Sequence, residues 1–148
     1  MRAYNKKVSR WRRGQTVVEF ALVAPLFLLF LFGAIEFGRC FFCLHLLANA
    51  AREGAREASL PNKTSADVEA AVDVFLQGVS LDLERRTTDI QVIPAGETEP
   101  DGTTLAGAIS GDRVQVTVDY DFQVLTGDFV PGLSDSLALT GRCVFRHE

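Results

Sequence analysis

From Val17 to Ile35 the chain runs nineteen positions with a single charge, Glu19. At helical rise this run is about 28 Å long, close to the hydrocarbon thickness of a bilayer. A helix lying on a soluble core would carry polar residues every third or fourth place, and this stretch does not. Pro25 removes the ladder bond to the Ala21 carbonyl, which membrane helices tolerate with a bend. Gly33 and Gly38 allow close helix approach, although their spacing is not that of a G-x-x-x-G motif. From Glu36 to Ser59 there is no proline, and the glycines are Gly38 and Gly54. The pattern therefore predicts one continuous helix from Thr16 to Ser59, ended by Leu60-Pro61.

A second helix is expected after Thr64 or Ser65, either of which can cap it, with Asp67 and Glu69 in its first turn. Val68, Val72, Phe75, Leu76 and Val79 form one apolar stripe, which should lie against a sheet. Beyond it the period changes to two. Asp89 to Ile93 reads as a short strand, and residues 94–112 as a mobile loop rich in Gly, Pro, Thr and acids. Arg113 to Val124 alternates, with Val114, Val116, Val118, Tyr120, Phe122 and Val124 on one face. A Gly/Pro loop over 126–135 leads to a last alternating strand, Leu137 to Phe145. The expected architecture is α+β. It has a long N-terminal transmembrane helix continuing outside the membrane, a second amphipathic helix and a small antiparallel sheet of about three strands, one face of which is wet.

Charge orients this plan. Arg2, Lys6, Lys7, Arg10, Arg12 and Arg13 precede the apolar run with no acid among them, while residues 37–148 hold nine basic and seventeen acidic side chains. The positive-inside rule puts the N-terminus in the cytoplasm and the C-terminal region outside. The basic segment suits membrane lipid headgroups. An acidic C-terminal region gives phosphate backbones no cationic surface, so no nucleic acid is expected as a partner.

Three readings fit the N-terminal segment. A cleaved secretory signal would use Ala48-Asn49-Ala50, but the apolar run is too long and the site too distant. A plain single-pass anchor accounts for the run but not for Gly14 or Glu19. A prepilin-type cleavage site accounts for both: a basic leader, Gly14, an acid at the fifth following position, then an apolar helix. The segments R-R-G-Q-T-V-V-E-F-A-L-V-A-P-L, I-E-F-G-R and A-N-A-A-R-E-G-A-R, in that order over residues 12–58, resemble the TadE family of Tad (tight adherence) pilus pseudopilins.

The resemblance implies a leader of residues 1–14, a long helix over 15–59 with its transmembrane part at 17–35, and an extracytoplasmic α+β domain over 60–148. It implies cleavage between Gly14 and Gln15 by a membrane prepilin peptidase. Glu19 would be the acid used in assembly, with Phe20 beside it. The partners it implies are other pilin or pseudopilin subunits and pilus assembly proteins, and the place is the bacterial inner membrane. The length exceeds that of the short major pilins, which favours a minor pseudopilin. The alternative is an uncleaved anchor whose acidic outer domain binds a partner.

Physical chemistry gives these positions roles of their own. A carboxylate in hydrocarbon costs ~2–4 kcal/mol unless paired or near an interface. Glu19 either snorkels to the cytoplasmic interface or pairs with the α-amine of Gln15 in a neighbouring subunit. Glycine at Gly14 lets an extended backbone enter a protease cleft. Glu36 and Arg39 are one turn apart. Ala51-Arg52-Glu53-Gly54 and Ala55-Arg56-Glu57-Ala58 are near-tandem tetrads that stack Arg52 over Arg56 and Glu53 over Glu57, with Glu53–Arg56 as a compensating pair. Such a run is ordinarily a solvated face; charge matching between parallel helices is the sharper reading.

No catalytic constellation is evident. Neither His45 nor His147 has an evident partner constellation for catalysis, Asp119 and Asp121 share the wet face of a strand, and no phosphate-binding glycine loop occurs. Cys40 and Cys43 form a lone C-x-x-C, read as packing residues of a membrane-proximal helix, and Cys143 as a core residue. The expectation is a protein that is not an enzyme and takes no cofactor or metal.

Overall fold

The computed structural model describes residues 8–79, 81–125 and 135–148, with side chains from Gly14 onward. The chain divides into two compact units, Met1–Gly38 and Arg39–Glu148. Helix α1 (Val8–Ala58) supplies elements of both. It starts earlier than the sequence pattern suggests, so helical backbone reaches into the basic segment.

In the first unit the apolar side chains of α1 are largely left uncovered by the described residues. Phe20 is 72% exposed, Leu22 77% and Phe30 75%, and the intervening valines, leucines and phenylalanines are also exposed. So large an apolar surface needs another apolar medium. Among the described residues, α1 is the one helix long and apolar enough to cross a membrane. Pro25 is accommodated inside it.

The second unit is the expected α+β body. After α1 come α2 (Ser65–Gly78), β1 (Arg86–Ile93), β2 (Arg113–Gln123) and β3 (Ser136–Arg146). Short 3₁₀ turns lie at Leu83–Arg85 and Leu105–Gly107. The sheet is antiparallel in the order β1-β2-β3, with Ile90 opposite Val116 and Val116 opposite Cys143. Val114, Val116, Val118, Tyr120 and Phe122 are buried, as the period-two pattern predicts.

The core is built against a helix face of small residues. Leu47, Ala50, Ala51, Ala55 and Ala58 are completely buried, and with Gly54 they recur at three- and four-residue spacing, one stripe of a helix. A Cβ on Gly54 would lie 2.7 Å from Val72 Cγ2 of α2 and 3.2 Å from Val116 Cγ1 of β2. A Cβ on Gly141 of β3 would lie 2.6 Å from the Ala48 nitrogen and would also strike the Leu47 carbonyl. The alanine and glycine places of the two tetrads are therefore packing positions, and the charged places are what remains outside.

α2 begins as its sequence asks. The Thr64 side chain accepts from the Asp67 N–H, and the Asp67 carboxylate accepts from the Thr64 N–H at 2.9 Å, a complete capping box. Val68, Val72 and Leu76 are fully buried, with Phe75 packed beside them. β1 starts three residues before the expected Asp89. There Arg86 forms a half-buried ion pair with Asp73 of α2 at 2.5 Å, and Arg86 Nη1 donates to Thr88 Oγ1.

The expectation of a mobile loop over 94–112 needs correction at its ends. Buried Asp112 accepts from the N–H groups of Ala95 (3.0 Å) and Ile109 (2.9 Å), closing the loop on itself. Gly111, at φ +107°, donates its N–H to the His147 carbonyl, and the His147 N–H donates to the Asp112 carbonyl. The Gly/Pro loop expected over 126–135 lies, Asp135 apart, outside the described residues.

Candidate processing and assembly site

Gly14, Gln15, Glu19 and Phe20 all stand on α1 in the first unit. Gln15 Nε2 donates to Glu19 Oε1 at 3.2 Å across one helical turn. A carboxylate offers about four acceptor positions, so this bond leaves Glu19 able to accept from a further donor. Phe20 is exposed beside it. Gly14 has open space around it, with nothing within 4 Å of an added Cβ. Its backbone is helical, not extended, so a peptidase acting on the Gly14–Gln15 bond must first unwind a turn. Glycine eases that by about 1 kcal/mol relative to alanine.

The charged residues farther along α1 fall out as follows. Arg56 Nη2 lies 2.6 Å from Glu53 Oε1, and this hydrogen bond holds the Glu53 carboxyl below its ordinary range. Arg52 donates to Asn49 Oδ1 at 3.1 Å. Glu57 pairs with Lys63 at 2.5 Å. Sequence reading missed Lys63 because it lies past the helix end; left-handed Asn62 (φ 62°) turns the chain there. Arg52 and Arg56 are exposed, Glu53 and Glu57 partly so. Arg39 holds its guanidinium over the Phe122 ring, 5.0 Å from the centroid. Glu36 is half-buried.

All three thiols are free; Cys43 is buried and burial pushes its thiol up, so it stays protonated at neutral pH. Among the described residues no three His, Cys, Asp or Glu side chains gather where a metal ion could sit. His147 is held by backbone: its ring Nδ1 is 2.9 Å from the Ala58 carbonyl and the residue is buried. Since a carbonyl only accepts, Nδ1 carries the proton. No local motif announces this bond, because the acceptor is backbone far away in sequence.

Residues 14–56 match the family model described as TadE-like protein. The match opens on Gly14, takes in Glu19, the apolar run and the first charged tetrad, and closes at Arg56. It covers under a third of the chain, and α2 and the sheet lie outside it. No curated protein and no solved structure matches the chain.

Proposed function

We propose that the chain, through this TadE-like segment, works as a minor pseudopilin of a Tad-type pilus system. In this reading a prepilin peptidase cuts after Gly14, and the mature subunit stays in the inner membrane through α1. Its N-terminus faces the cytoplasm and residues 60–148 lie outside. The role is structural, not catalytic. The observation that carries the reading is the coincidence of three features on one helix. The family match begins at Gly14, an acid stands five positions on, and the helix that follows is apolar and exposed.

The physics of the segment supports it. Cleavage would remove all six leader cations and create one α-amine, loosening the hold of anionic lipid on the cytoplasmic side. Glu19, an acid inside an apolar run, needs a cationic or hydrogen-bonding partner to be stable there. Gln15 meets that need in part within one chain, and the new α-amine of Gln15 in a neighbouring subunit would complete it. The exposed Arg52 and Arg56 supply charge for contacts with other pilin subunits or assembly proteins.

Mass spectrometry of the protein recovered from the membrane fraction tests processing. A chain beginning at Gln15 is the expected outcome. A chain beginning at Met1 or Arg2 would sink the processing step and leave an uncleaved anchor with an acidic binding domain. Piliation in a Glu19→Ala strain tests assembly: fibres should be lost while membrane insertion is retained, and unchanged piliation would remove Glu19 from assembly.

A further inference from the structure

Residues 37–148 are strongly acidic, yet two arginines from distant segments converge. Arg39 stands four positions past Ile35, the end of the apolar run, and Arg85 closes the 3₁₀ turn before β1. Both line one cavity of about 250 Å³, with Tyr120 and Gln123 as further polar wall and Phe42 and Phe122 as apolar wall. We propose that this cavity takes the phosphate headgroup of an anionic phospholipid. The two guanidinium groups would hold the phosphate and the phenylalanines would lie along the glycerol and the top of the acyl chains.

Four observations carry the assignment. Guanidinium is planar and weakly hydrated, and its fork of donors matches phosphate oxygens. Arg39 is already oriented by stacking on Phe122, which cuts the ordering cost of binding. Arg85 meets Asp82 at 3.2 Å in a partly exposed pair within one turn, a contact of small worth that a phosphate can replace. Phe42 is 64% exposed at the cavity wall, where a free phosphate ion would have no use for it and a lipid would. The layer where an apolar run ends is the layer of headgroups, and Arg39 falls in it. The inference rests on α1 spanning a membrane and is independent of the pilus role.

The test uses the full chain in neutral detergent micelles, with backbone amide shifts read by NMR. Dioctanoyl phosphatidylglycerol, dioctanoyl phosphatidylcholine and inorganic phosphate are titrated separately. Phosphatidylglycerol should give saturating shifts at Leu81, Arg85, Tyr120 and Gln123. Arg39→Gln with Arg85→Gln should weaken them at least tenfold while the amides of 113–118 stay in place. If those core amides move, Arg85→Gln alone serves, with a loss of about threefold expected and no loss overturning the proposal. Equal saturation by phosphatidylcholine, equal saturation by phosphate alone, or shifts confined to residues 1–15 would each overturn it as well.

Discussion

Gly141 is the residue on which the packing of β3 against α1 turns. Its missing Cβ leaves room for the Leu47 carbonyl and the Ala48 nitrogen, and neither can move without shifting a helix. Overpacking of this kind costs ~1–3 kcal/mol, at the upper end when backbone must shift. Gly141→Ala should therefore lower the thermal midpoint of the detergent-solubilised chain, by roughly 5 °C for each kcal/mol in a unit of this size. Gly54→Ala should cost less. Its new methyl meets the side-chain carbons of Val72 and Val116, and alanine returns about 1 kcal/mol of helix propensity. A Gly141→Ala variant as stable as the parent would refute the close approach. Neither glycine declares its role in the sequence, because what demands it is a neighbour's atoms. Gly14 is the opposite case: the role proposed for it is read from its place before an acid and an apolar run, while its helical backbone leaves no mark in that pattern.

At the scale of elements, α2 was the most legible part of the second unit, since cap, acid and apolar stripe agree on one span. That agreement can be tested through its cap. Thr64→Ala should lose about 1 kcal/mol, as cap deletions generally do, seen as a lower unfolding midpoint. The cap also has a pH signature. The Thr64 backbone N–H and hydroxyl hold the Asp67 carboxyl below its ordinary range. A group whose folded pKa is depressed contributes stability above its unfolded pKa, about 3.9 for Asp, and loses it as pH falls through the folded value. Thermal midpoints of the parent should thus fall more steeply below about pH 4 than those of Asp67→Asn, and parallel acid limbs would contradict this. The small-residue stripe of α1 was less legible, because the arginines and glutamates of the tetrads draw attention to the exposed side of the same repeat. The early start of β1 was hidden for another reason: Arg86 finds Asp73 on a different element, and pairs of that kind leave no periodicity.

Across the whole second unit, three places distant in sequence meet at the C-terminus. His147 Nδ1–H donates to the Ala58 carbonyl, and the Glu148 N–H donates to the Ser59 carbonyl. Those acceptors belong to the end of α1, where a helix leaves its last carbonyls without internal partners. Meanwhile the backbone of His147 exchanges bonds with Gly111 and Asp112, whose side chain closes the 94–112 loop. The last two residues therefore act as a clasp joining helix end, loop and final strand. Removing one partner of a buried hydrogen bond costs ~1–3 kcal/mol, because the other is left unsatisfied. His147→Ala should lower the thermal midpoint and speed amide exchange at Gly111, which the clasp holds, while the amides of α2 remain protected until global unfolding. Deleting both His147 and Glu148 should exceed that effect, since the backbone bonds go too. Membrane insertion should not change in either variant, because α1 carries its apolar surface in the other unit. If exchange at Gly111 keeps its parent rate in His147→Ala, the imidazole contributes nothing to the clasp and the backbone bonds alone hold it.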